Sequence, residues 1–157
     1  MKDFMLNPKE YSTTGNREID GVLNYMLQKA NKTLNQVDVQ INIPEDIYFN
    51  NFNICVILGN LVDNAVREAS KSKEKLLTIK MQIKQEVLLI FIENSYSGKI
   101  LEKRNGLQTT QPELAIHGIG LENVKKVVIA NGGEIKIDYT SNRFCVQVLL
   151  YMSRIKN

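Results

Sequence analysis

One stretch of sequence, residues 57–69, constrains this chain more than any other because it carries two contrasting faces at helical spacing. Four polar residues recur at i, i+3, i+4 and i+7: Asn60, Asp63, Asn64 and Arg67. Asn lowers helix stability relative to Lys or Glu, so two Asn one turn apart favour a ligand-binding face. A polar surface face that happens to contain Asn is the alternative. The apolar side chains form the other face of this predicted helix: Ile54, Ile57, Leu58, Leu61, Val62, Ala65 and Ala69.

The residues before this helix predict a packing helix and one strand. Residues 17–34 repeat apolar side chains at helical spacing, and Asn16 is placed to cap that helix. Residues 37–43 alternate strictly between apolar and polar side chains, which predicts a half-buried strand. Asn51 or Asn53 is predicted to cap the central helix.

The residues after the central helix predict a hairpin and then a long loop. Two apolar, β-branched runs, 77–83 and 87–93, flank three polar residues, as expected for two strands joined by a tight turn. Residues 94–117 are polar and have no clear period. A loop of this length is uncommon in a compact domain and is often a functional lid.

The last part of the chain predicts a third helix and a second hairpin. Gly118 opens this helix and Asn131-Gly132-Gly133 ends it. Residues 134–139 and 144–151 supply the last two strands. The order of elements predicts a two-layer α/β sandwich, in which a mixed five-stranded sheet carries three helices on one face. The predicted core side of the third helix carries Leu121, Val124, Val127, Val128 and Ile129.

The composition, 43% hydrophobic and 24% charged, is that of a soluble globular domain. No apolar run approaches the roughly 18 residues that span a bilayer, and no signal-peptide pattern opens the chain. Cys55 and Cys145 are therefore predicted to be buried thiols of a cytosolic domain. A single His and the absence of a Cys-x-x-Cys pair argue against a zinc site. Basic residues are spread along the chain without interleaved aromatic residues, so no nucleic-acid partner is expected.

Residues 117–124 form a second candidate motif, with two glycines at the start of the third predicted helix. Glycine lets the backbone approach an anion closely, and the free N–H groups of a first helical turn favour phosphate. A dinucleotide-binding motif would need a third Gly where Asn123 stands and a strand directly before it. The Gly-x-x-x-x-Gly-Lys-Ser/Thr pattern of P-loops does not occur.

Residues 61–65, Leu-Val-Asp-Asn-Ala, with Glu68 after them, resemble the N box of the GHKL superfamily of gyrase, heat-shock-90 chaperones, histidine kinases and MutL. The resemblance implies a Bergerat fold over about residues 16–151. It also implies that Asn64 helps to hold Mg²⁺ against nucleotide phosphates, and a carboxamide oxygen suits this hard cation. Hydrolytic members carry a Glu where this chain has Asn60, as histidine kinases commonly do. Without that base, phosphoryl transfer is favoured over free hydrolysis.

The same resemblance implies roles for further residues. Arg67 stands where many kinases have Lys and is implied to neutralise charge on the transferred phosphoryl group, beside Asn60 and Asn64. ATP with Mg²⁺ is the implied ligand, its phosphates wrapped by backbone N–H groups of a second glycine box. His117 adjoins that box and is placed with the nucleotide-binding residues, and a residue at the edge of the lid is the alternative. Because the phosphoaccepting His of this family lies on a separate helical hairpin, the acceptor is expected outside this chain. The residues that match the second glycine box are Gly118, Ile119, Gly120 and Leu121.

The adenine-binding box departs from the family pattern. Most GHKL proteins have Asp-x-Gly-x-Gly after a strand. Here Asn94 takes the Asp position, Tyr96 replaces the first Gly, and Gly98 matches the second. The Asn94 carboxamide oxygen can accept a hydrogen bond from the adenine amine but offers no negative charge. A strand-end turn residue is the alternative interpretation of Asn94.

The order of these motifs along the chain resembles that in the agr-type, peptide-sensing histidine kinases of quorum sensing. The resemblance implies that residues 16–157 are a catalytic and ATP-binding domain. Residues 1–15 are polar and irregular, which indicates a linker or a truncated entry segment. Its implied partners are a helical dimerisation domain with the acceptor His and a response regulator. The implied setting is the cytoplasmic side of a membrane-bound, homodimeric receptor. Two alternatives on the same fold are a serine kinase of the anti-sigma-factor type and a nucleotide-independent interaction module.

Overall fold

The computed structural model describes residues 14–44, 51–97 and 119–151 of the chain. Within these ranges lie three helices and five strands, as the sequence predicted. In chain order they are α1 (Arg17–Thr33), β1 (Gln36–Asn42), α2 (Asn51–Lys71), β2 (Leu76–Lys84), β3 (Val87–Ser95), α3 (Ile119–Ala130), β4 (Glu134–Tyr139) and β5 (Arg143–Tyr151).

The five strands form one mixed sheet in the order β1-β2-β3-β5-β4. The β1–β2 pair is parallel, and the other three pairs are antiparallel. The helices bury alternate residues of the strands, which confirms the predicted α/β class. None of these helices is long and apolar enough to cross a bilayer. The predicted apolar stripe of α2 is confirmed because all seven of its residues are buried: Ile54, Ile57, Leu58, Leu61, Val62, Ala65 and Ala69.

The predicted N-cap of α1 is confirmed, whereas the predicted cap of α2 is wrong. Asn16 Oδ1 accepts a hydrogen bond from the Ile19 amide at 3.1 Å. Helix α2 already begins at Asn51, so its capping position lies outside the described residues. Asn53 instead donates from Nδ2 to Asn131 Oδ1 at 3.1 Å, which joins the start of α2 to the end of α3.

Helix α3 ends where the glycines predicted. Gly132 has a φ of +73°, and its amide donates to Ile129 O at 3.0 Å, while the Gly133 amide donates to Val128 O at 2.9 Å. The prediction that Ile129 faces the core is wrong, because its side chain is 66% exposed. Val128 occupies the buried side, and successive helical residues point about 100° apart.

Both cysteines are free but only partly buried, which corrects the prediction of buried thiols. Burial raises the pKa of the Cys145 thiol to about 11, and the carboxylates of Glu93 and Asp138 contribute in the same direction. Burial likewise raises the pKa of Cys55, with a smaller contribution from Glu18. Both thiols are therefore protonated at neutral pH, and neither is an activated nucleophile.

Candidate functional site

A small cavity lies where α2 and α3 meet the ends of β3 and β5. Its volume is about 10 Å³, roughly the space that one water molecule needs. It brings three of the predicted site residues together, one from α2, one from β3 and one from α3. The residues that line it are Leu61, Asn64, Ala65, Ile92, Asn94, Leu121, Phe144 and Val146.

The side-chain amide of Asn64 has a hydrogen-bonded oxygen and a nitrogen without a hydrogen-bond partner. Its side chain is only 6% exposed. The oxygen Oδ1 accepts a hydrogen bond from Arg67 Nη1 at 3.0 Å, whereas the buried Nδ2 has no hydrogen-bond partner. Buried polar groups nearly always have partners, and an unsatisfied one costs about 1–3 kcal/mol. This Nδ2 is therefore available to donate to a ligand that enters the cavity.

Arg67 places a positive charge at the exposed edge of the same helix face. Its Nη2 also binds Asp63 Oδ2, and the two side chains are 45% and 63% exposed. Such exposed pairs contribute little to stability, about 0–1 kcal/mol. Arg67 therefore contributes little to the stability of the fold, and its charge is available to contact a ligand.

Asn60 lies one turn before Asn64 and is half-buried, but it does not line the cavity. Its Nδ2 donates to Val56 O at 2.9 Å, a bond back to its own helix. The two carboxamides predicted to act together therefore have different surroundings.

Asn94 lies within β3, where the sequence had predicted that the strand ends at residue 93. It is opposite Leu77 on β2 and opposite Phe144 on β5, and it is 3% exposed. The strand continues because neighbours on both sides supply pairing partners, which a single sequence does not reveal. Asn94 Nδ2 donates to Ser95 O at 2.8 Å.

A chain of hydroxyl groups ties this end of β3 to the end of α2. Ser72 Oγ lies 2.7 Å from Ala69 O and 2.7 Å from Ser95 Oγ. Ser95 Oγ in turn accepts from the Leu76 amide at 2.9 Å. Ser72 and Ser95 are both buried, so these bonds hold Asn94 at a fixed position beside α2.

Replacing Ser95 with alanine is expected to lower the free energy of unfolding by about 1–3 kcal/mol, because the Ser72 hydroxyl and the Leu76 amide each lose a buried partner. Urea unfolding followed by circular dichroism measures the change. Ser141→Ala, in the exposed turn before β5, is the matched control and should change stability by less than about 0.5 kcal/mol. Equal effects of the two substitutions would contradict the role of this hydroxyl chain.

Phe144 forms an aromatic wall of the cavity that the sequence did not predict, and Tyr96 packs against Phe144 without lining the cavity. Phe144 lines the cavity, and the Tyr96 ring packs edge-on against it with centroids 5.7 Å apart. Tyr96 is itself fixed by a bond from its hydroxyl to Thr140 O at 2.7 Å. The signal that would find Phe144 is its register opposite Asn94, fifty positions earlier in the chain. The predicted first-Gly position of the adenine box is thus filled by a buried ring.

Several predicted site residues lie outside the described ranges, namely Gly98, His117, Gly118 and the proposed lid. Ile119 and Gly120 form the first turn of α3 as described, with their backbone in helical conformation. Leu121 is 1% exposed and lines the cavity. The start of α3 therefore lies beside Asn64, and the phosphate-binding role of these residues stays a prediction.

Comparison with protein families identifies the fold family. The profile described as "GHKL domain" matches residues 49–151, more than half of the chain. The chain belongs to the GHKL family. No curated protein matches the sequence of this GHKL domain.

Solved structures similar to this GHKL domain include three histidine kinases. The histidine kinase AdeS of Acinetobacter baumannii matches with a TM-score of 0.64 at 18% identity, over 88% of this chain and 64% of that one. The catalytic domain of the histidine kinase ThkA matches with a TM-score of 0.62 at 20% identity, over 92% and 97%. The mycobacterial sensor histidine kinase MprB matches with a TM-score of 0.59 at 16% identity, over 87% and 97%. Identities this low establish a shared fold, and this chain spans less than two thirds of the AdeS chain.

Proposed function

We propose that this GHKL domain is the catalytic and ATP-binding domain of a sensor histidine kinase. It transfers the γ-phosphoryl group of ATP to a His on a separate helical dimerisation domain. The observation that supports this most directly is the buried, unpartnered Nδ2 of Asn64, in a cavity that it shares with Asn94 and Leu121. The likeness of the fold to three histidine kinases is consistent with the proposal.

The residues present fit a magnesium ion that is held mainly by its nucleotide. Within the described ranges, no three His, Cys, Asp or Glu side chains come close enough to hold a metal by themselves. Mg²⁺ commonly takes one or two protein oxygens and completes its shell with phosphate oxygens and water. Asn64 Oδ1 is the protein oxygen that we assign to it. When bound, Mg²⁺ offsets the negative charge of the phosphates.

The chain's own groups do the remaining work by position and charge. Arg67 neutralises charge on the phosphoryl group, and Asn60 supports the phosphate region from the preceding turn. The backbone N–H groups at Gly118 and Gly120 hold the phosphates at the start of α3. Positioning and charge stabilisation suffice for phosphoryl transfer, which needs little covalent chemistry from the protein. Because Asn60 is not a base, ATP hydrolysis by the domain alone is slow.

The agr-type subfamily is part of the proposal and is supported by the altered adenine box at Asn94 and Tyr96. The partners that follow are a dimerisation domain bearing the acceptor His, in a homodimeric receptor, and a response regulator. The receptor lies in the membrane, with this domain on the cytoplasmic side. His117 stays with the nucleotide-binding residues and is not the acceptor.

A nucleotide-independent interaction module is the second candidate. The cavity of about 10 Å³ and the ring of Tyr96 at a glycine position both favour it. In that case the fold would bind a helical partner and Asn64 would have no ligand.

Thermal unfolding with and without magnesium-ATP distinguishes the two candidates. ATP at ten times its dissociation constant should add about 1.4 kcal/mol to the free energy of unfolding, which for a domain of this size raises the midpoint by roughly 3–6 °C. Magnesium with GMP is the control and should leave the midpoint unchanged. An unchanged midpoint at millimolar magnesium-ATP would overturn the kinase proposal in favour of the interaction module.

A further inference from the structure

We propose that Asp63 is a positioning residue of the nucleotide site. Through Arg67, it fixes the orientation of the Asn64 amide, whose oxygen would ligate magnesium, and it would offset the charge of Arg67 beside that ion. This inference rests on the proposed function, because it assumes that Asn64 Oδ1 is the magnesium ligand.

Asp63, Asn64 and Arg67 form a connected group within about one turn of α2. The Arg67 guanidinium binds Asp63 Oδ2 through Nη2 and donates to Asn64 Oδ1 through Nη1, the latter at 3.0 Å. A guanidinium is planar and rigid, so anchoring one terminal nitrogen fixes the direction of the other. The Asp63 carboxylate therefore determines where Nη1 points.

The orientation of the Asn64 amide follows from this contact. Because Nη1 donates to the oxygen, the amide nitrogen is left inside the cavity, where it is buried and has no partner. Rotating the amide by half a turn would place an N–H group against the guanidinium, and two donors would then face each other. A ligand thus meets a donor within the cavity and an acceptor on the side of Arg67.

The charge balance around Asn64 Oδ1 also depends on Asp63. Arg67 carries a permanent positive charge next to the oxygen assigned to Mg²⁺, and it would repel a magnesium ion bound there. Helix α2 has two carboxylates, and the second, Glu68, lies 3.7 Å from Lys71 Nζ. Asp63 is the carboxylate that contacts Arg67, so it reduces the repulsion that a bound magnesium ion meets.

Calorimetry of ATP binding, with magnesium and with EDTA, tests this role in Asp63→Asn, which keeps the shape of the side chain and removes its charge. We expect affinity for magnesium-ATP to fall about 2- to 5-fold, the range expected from an exposed ion pair. Affinity for ATP in EDTA should be equal to wild type or higher, because the released Arg67 can pair with a phosphate. A merely structural role would weaken both affinities together.

Two further variants sharpen the test. Asp138→Asn removes the same charge from a side chain that is also 63% exposed and ion-paired, with Lys136 at 3.9 Å, and should leave both affinities unchanged. Asp63→Glu retains a carboxylate at helical reach of Arg67 and should restore the magnesium-dependent affinity. If Asp63→Asn lowered the affinity for ATP equally in magnesium and in EDTA, or changed it in neither, the role of Asp63 would be overturned. Wild-type protein that binds ATP in neither condition would overturn the proposed function, and this inference with it.

Discussion

Replacing Asn64 with alanine is expected to lower the affinity for magnesium-ATP by about 10- to 100-fold, because hydrogen bonds and ligand contacts to charged groups each contribute about 1.5–3 kcal/mol. The ligand-free domain should hardly change in stability. The substitution removes one hydrogen bond, to Arg67, but it also removes the cost of the buried, unsatisfied Nδ2, so the two effects on stability oppose each other. Calorimetry gives the affinity, and urea unfolding gives the stability of the same preparation.

A loss of affinity for magnesium-ATP without a loss of stability would identify Asn64 as a binding residue. Asn42→Ala, at an exposed position on β1, removes the same amide from outside the site and should alter neither quantity. If Asn64→Ala bound magnesium-ATP as tightly as wild type, the assignment of this residue to the nucleotide would be wrong.

Replacing Gly133 with alanine is expected to lower the free energy of unfolding by about 3 kcal/mol, which for a domain of this size reduces the thermal midpoint by roughly 6–12 °C. A Cβ at this position would collide with the backbone oxygen of Leu149. It would also lie 2.9 Å from Leu150 Cδ2 and 3.2 Å from Val128 Cγ1. The backbone of β5 is paired on both sides and cannot shift without straining those pairs. Scanning calorimetry measures the midpoint.

Gly21 on α1 provides the matched control because a Cβ added there meets nothing within 4 Å. Gly21→Ala should raise stability by about 0.5–1 kcal/mol, since alanine favours an exposed helix interior. The two substitutions add the same methyl group and are expected to change stability in opposite directions. Destabilisation by both would contradict the steric explanation for Gly133.

The sequence predicted those parts of the fold that repeat locally. The apolar stripe of α2 and the alternation in β1 each specify which side of an element is buried, and both predictions were confirmed. It also singled out the polar residues around Asn64 as a candidate site, because Asn at mid-helix positions lowers helix stability, and that assignment stays a prediction. The family match confirmed the predicted resemblance to the GHKL superfamily.

Features that depend on distant pairing could not be predicted in this way. Asn94 was expected directly after a strand that ends at residue 93, but partners on β2 and β5 extend β3 past Asn94. Phe144 belongs to the cavity wall only through the register between β3 and β5. The start of α2 was misplaced because Asn51 and Asn53 are compatible both with a cap and with a first helical turn.

The pairing of Asn94 with Phe144 also bears on when the cavity forms during folding. Two chain segments far apart in sequence must meet before these residues can face each other, and closing so long a loop is slow. The local turns of α2 can form earlier, but they lack the opposite wall until β5 joins the sheet. We therefore place the cavity among the parts of the molecule that form late in folding. A nucleotide bound there would stabilise only the fully folded chain and would act chiefly by slowing its unfolding.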